Sequence, residues 1–101
     1  MMPHVDVTPV IFRTDGEGVT AIFPCEPGDR YGYTMLCYAK KGQHSTCSVE
    51  WARSRKHRSA TPDEYAELRR ELESAPYNYR LKIYRRMRGW MENARRANAR
   101  R

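Results

Sequence analysis

The side chains with the strongest chemical bias in this chain are the cations of its last fifth. Arg80, Lys82, Arg85, Arg86, Arg88, Arg95, Arg96, Arg100 and Arg101 are interleaved with Tyr84 and Trp90. Guanidinium and ammonium groups neutralise backbone phosphates and aromatic rings stack on bases, so this composition points to a nucleic-acid-binding segment. No helix-turn-helix, RNP or zinc-finger pattern accompanies it, and sequence-specific reading of bases is not expected. The bland alternative is a solvated basic tail that only keeps the chain soluble. Arg53, Arg55, Lys56 and Arg58 form a second basic group. Beside the last strand it would let both groups follow one phosphate backbone; elsewhere it is a wet linker.

Other reactive residue types are present without the spacing that chemistry needs. His44 and Cys47 lie three apart, with Cys37 and Cys25 upstream. Thiolate and imidazole are the ligands zinc prefers, but Cys37 and Cys47 fall inside apolar strand patterns, where cysteine behaves as a small buried hydrophobe. A Cys/His nucleophile pair would need a third group to orient it, and none can be placed there. Gly16 and Gly18 lack the helix and lysine of a phosphate-cradling loop, and Asp63 and Glu64 read as helix-capping carboxylates. The expectation is a protein without enzymatic activity, cofactor or metal.

Charge distribution sharpens this reading. The net charge is +7, yet residues 1–79 hold ten Lys/Arg against eleven Asp/Glu, whereas residues 80–101 hold nine against one. A field so concentrated attracts polyanions. At 101 residues the chain has material for one core,. Three cysteines without a C-x-x-C pair fit reduced thiols in a cytoplasmic protein, and no basic, apolar leader or bilayer-length apolar run is read in the sequence,.

The elements that must position these groups follow from periodicity. Residues 10–13 and 19–23 are apolar runs around a Gly-containing turn, which predicts a hairpin closed by Pro24,. Glu26-Pro27-Gly28-Asp29 is turn chemistry, residues 33–39 read as a central strand, and Cys47, Val49 and Trp51 alternate inward along a fourth strand over 46–51,. Residues 52–60 carry charge without period and read as a solvated, mobile loop. Thr61-Pro62-Asp63-Glu64 is a capping box opening a helix whose Tyr65, Leu68 and Leu72 face a sheet,. Tyr79, Leu81 and Ile83 then alternate with Arg80, Lys82 and Tyr84, leaving the basic, aromatic row free as a contact face. After Gly89 a short basic helix presents Trp90, Ala94 and Ala97 on one side. The predicted fold is α+β: a small antiparallel sheet in the order β-β-β-β-α-β with one packed helix, over residues 1–88, and an arginine-rich helix or tail over 89–101. Short hairpin links argue against parallel pairing.

The order Pro9-Val10-Ile11-Phe12-Arg13, Ala21-Ile22-Phe23-Pro24, Gly42-Gln43-His44 and Ala60-Thr61-Pro62-Asp63-Glu64-Tyr65 resembles a family of small proteins from phages and bacterial mobile elements. The resemblance implies a setting, the host-cell cytoplasm, and brings no established activity. It raises a second expectation beside nucleic-acid binding, a phage-encoded inhibitor of a host protein, such as an anti-CRISPR or other anti-defence protein. The expected partner is nucleic acid or an acidic host protein surface rather than a membrane. In the inhibitor reading, Gln43 and His44, or the basic face, would form the protein contact.

Overall fold

A computed structural model describes residues 7–40 and 42–100. Arg101, the last of the expected phosphate contacts, lies outside the described residues, as do Lys41 and the first six positions. The elements run β1 (Thr8–Thr14), β2 (Val19–Pro27), β3 (Thr34–Tyr38), β4 (His44–Ser48), α1 (Val49–Ala52), β5 (Arg58–Ser59), α2 (Pro62–Glu73), β6 (Leu81–Tyr84) and α3 (Gly89–Ala99). The fold is the expected α+β arrangement, and no helix among the described residues is long and apolar enough to cross a membrane.

The antiparallel meander β1-β2-β3-β4 is the backbone of the sheet, which has the order β4-β3-β2-β1-β5 with β6 also on β1. Because β2 occupies one edge of β1, β5 and β6 share the other end to end. Arg13 and Thr14 pair antiparallel with Ser59 and Arg58, while Thr8 through Ile11 pair with Leu81 through Tyr84. This second pairing is parallel, contrary to expectation. Hairpin links constrain only strands adjacent in sequence, and β6 reaches β1 through the long return that carries α2.

Two further boundaries differ from the sequence reading. Pro24 does not end β2: the strand continues to Pro27, and the β2–β3 register shifts between Phe23 and Pro27. Proline lacks the N–H a ladder needs, so the strand bulges there instead of stopping. The fourth strand stops at Ser48, whose hydroxyl accepts the Trp51 N–H at 3.1 Å and opens α1. Trp51 therefore leaves the sheet and is 42% exposed. The sulfurs of Cys37 and Cys47 are paired across β3 and β4, their Cα atoms 6.4 Å apart, in place of two expected thiols.

Each face of the sheet carries its own apolar cluster. Val10, Phe12, Ala21, Phe23 and Tyr38 pack beneath Leu68 and Leu72 of α2, with Tyr65 stacked on Phe12 at 4.5 Å. Leu81 and Ile83 join this side, as the alternation predicts. The opposite side holds Ile11, Ile22, Met35, Cys37 and Ala52, with Tyr84 and Met87 against them. It is not left open: α3 lies over β2, burying Met91 and Arg95 rather than the expected Trp90 and Ala97.

Candidate nucleic-acid interface

The candidate interface is assembled around Arg13 of β1. Its guanidinium donates from Nε to His57 Nδ1 at 2.9 Å, from one terminal nitrogen to the His57 carbonyl at 2.7 Å, and from the other to Ser59 Oγ at 3.2 Å. Since Nδ1 accepts from an arginine that is always a donor, the His57 proton resides on Nε2, which lies 2.6 Å from the Trp51 carbonyl,. The imidazole also packs 4.5 Å from the Trp51 ring. The stretch 52–60, expected to be a solvated, mobile loop, is thus bonded to β1 near its far end. Burial pulls the Arg13 pKa below its ordinary value,.

The same pairing brings the two basic groups together. Ser59 donates its hydroxyl to the Arg85 carbonyl at 3.0 Å, joining the end of the loop to the turn after β6. Arg53 then faces Arg85 and Arg86 across a concavity of about 240 Å³ that Arg13 also lines. Its floor is apolar, formed by Ile11, Ile22, Ala52 and Met87, and no carboxylate lines it among the described residues. Arg53, Arg85 and Arg86 are exposed and form no ion pair with any described residue. Uncompensated guanidinium groups over a low-dielectric floor attract an anion more strongly than the same charges spread in water. On the other side of Arg13 a second concavity, about 220 Å³, is lined by Trp51, Lys56, His57, Thr14, Thr20 and Asp15.

The remaining expected contacts separate. Arg80 and Lys82 are exposed at and before β6, and the Lys82 ammonium lies 5.6 Å from the Tyr84 ring centre. Tyr84 is half-buried and meets Trp90 edge-on at 6.0 Å, so the row expected to be free is partly covered by α3. Arg88 is exposed at the start of α3 and Arg100 at its end, about 18 Å away at the helical rise per residue,. Arg96 is exposed but lies 3.5 Å from Glu92.

Arg95 is a correction. It is 2% exposed, donating from Nε to the Gly32 carbonyl at 2.7 Å and from a terminal nitrogen to the Pro24 carbonyl at 2.8 Å. The β2 bulge leaves the Pro24 and Cys25 carbonyls in need of donors, and Arg95 with Asn98, which donates to the Cys25 carbonyl at 2.8 Å, supplies them, while Arg95 also ties in the Gly32 turn,. Arg95 is an anchor of the fold and no phosphate can reach it.

Gln43 and His44 lie at the opposite edge of the sheet, on the α2 side. The His44 ring is 4.8 Å from Tyr38 and 5.7 Å from Tyr77. Tyr38 donates its hydroxyl to Glu71 and accepts the Gly42 N–H at 2.8 Å; burial, then the Glu71 contact, raises its pKa. Gln43 borders a groove that Asp15, Glu17, Glu64, Glu67 and Glu71 make acidic, apart from the arginine concavity in position and in charge.

Two aromatic groups escaped the sequence reading. Trp51 was assigned inward by strand alternation. Tyr31 and Tyr33, 59% and 64% exposed with rings 5.5 Å apart, follow a turn organised by Asp29. That carboxylate accepts the Thr34 hydroxyl at 2.7 Å and the N–H groups of Tyr31, Tyr33 and Thr34, which hold its pKa far below the usual value. The Gly28-Asp29 pair was the available signal. No family model, curated protein or solved structure matches this chain.

Proposed function

We propose that this α+β protein binds nucleic acid through the phosphate backbone, without reading sequence and without catalysing a reaction. The observation that carries the proposal is the concavity in which Arg53 meets Arg85 and Arg86 around Arg13, with no carboxylate among the described residues that line it. The phage or mobile-element setting rests on the motif order alone. Compared with the sequence expectation, the grip moves from the whole C-terminal segment to the junction of two segments, with Arg88 and Lys82 nearby.

The test is fluorescence anisotropy of a labelled oligonucleotide across a salt series. Wild-type affinity should fall linearly on a log–log plot, and the Arg53→Ala/Arg85→Ala/Arg86→Ala triple variant should lower that slope by about 2 to 3. All three side chains are exposed, so the unfolding midpoint of the variant should stay at the wild-type value. Salt-independent binding, or a triple variant that binds as wild type does, refutes the proposal. Retention of one host protein from nuclease-treated lysate, with no affinity for oligonucleotides, would replace it with the inhibitor reading.

A further inference from the structure

We propose that the ligand is an unpaired strand, one nucleotide of which straddles Arg13 with its base in the Trp51 concavity and its phosphate in the arginine concavity. The inference rests on the phosphate-binding reading above and adds the substrate class. Both concavities share the Arg13 wall, so they lie side by side as base and phosphate do within one nucleotide. Their chemistry divides the ligand between them. Asp15 offsets part of the charge of Lys56 and Arg13 in the first, which also holds the Trp51 ring, while the second has four guanidinium groups and no acid among the described residues,. The neutral, planar part of a nucleotide fits the first and the anionic part the second.

Trp51 is built for this role. It stands 42% exposed at the rim, and the packing of the His57 imidazole at 4.5 Å leaves its remaining surface available. Ser48 caps the turn below it and the His57 ring is bonded to the Trp51 carbonyl, so the ring is held before ligand arrives,. At about 220 Å³ the concavity has room for a single heterocycle. A base within a duplex reaches such a site only by leaving its stack and its partner, at a cost an unpaired strand does not meet.

Three labelled probes of about 12 nucleotides decide the matter: a thymidine single strand, the same backbone with abasic sites, and a blunt duplex. The intact strand should bind about 5- to 150-fold more tightly than the abasic one. Trp51→Ala should remove that difference while leaving the salt slope unchanged, and Trp51→Phe should retain most of it. In a Trp90→Phe background the remaining tryptophan fluorescence should be quenched by the intact strand alone. Equal affinity for intact, abasic and duplex probes with a persisting salt slope overturns this inference and leaves phosphate binding standing. Failure to bind any probe overturns both. Because the abasic comparison uses wild-type protein, it holds even if the Trp51→Ala variant folds poorly.

Discussion

The two faces of the sheet are each closed by a helix of similar length, 12 residues in α2 and 11 in α3, by opposite means. α2 docks through Leu68, Leu72 and the stacked Tyr65, opens with a complete capping box, and presents carboxylates outward. α3 docks through Met91 together with a buried guanidinium and an amide that serve two carbonyls of the bulged strand β2 and one of the turn after it. The first interface is mainly apolar and non-directional, with the Tyr38–Glu71 and Arg58–Glu64 bonds at its margins. The second is directional, fixing the axial position and rotation of α3, and with them the turn that carries Arg85, Arg86 and Arg88. The acidic groove lies on the first side and the arginine concavity on the other.

The comparison breaks most visibly at the apolar anchor. Leu72→Ala, at a site 1% exposed, should lower unfolding free energy by about 4 kcal/mol in urea titrations, the outcome for a deleted leucine in a close-packed cluster,. Arg95→Met should cost about 3 kcal/mol, because two buried carbonyls lose their donors while the methionine retains part of the packing,. A neutral result there would mean that α3 is held by apolar contact alone, and the contrast between the faces would vanish. The smallest effect concerns α2's entry. Arg58, bonded to both Glu64 oxygens, and then the Thr61 N–H hold the Glu64 carboxyl down at about 2, against an ordinary 4.5. A depressed folded pKa contributes stability that is complete above 4.5 and is lost as pH falls toward 2,. Urea midpoints measured across that window should fall, and Glu64→Gln should flatten the fall without abolishing it, since Asp29 is held lower still.

Local signals accounted for the α2 side of the molecule. The hairpin of β1 and β2, the Thr61 capping box and the inward row of Leu81 and Ile83 were legible because each depends on neighbours in sequence or on a simple period. The other side depends on partners far apart in the chain. Arg95 sits four residues after Met91 and reads as one more solvated cation, and only the carbonyls of Pro24 and Gly32 make it an interior residue. Ser48 was a weak helix signal because the third residue of its helix is Trp51, not a glutamate that could complete a capping box,. The junction of Arg53 with Arg85 required the β1–β5 and β1–β6 pairings, neither of which leaves a trace in periodicity.

The mooring of Arg95 also decides how the end of this chain can be handled. A cationic tail that hangs free can be clipped off, or spliced onto another protein, and keep its charge-seeking behaviour. Here the last helix is a keystone: removing it would strip the donors from Pro24 and Gly32 and bare Met91's seat on β2. Transplanted elsewhere it would carry arginines but no cleft, because that cleft is lined from β1, β2, α1 and the turns after α1 and β6, outside α3 itself.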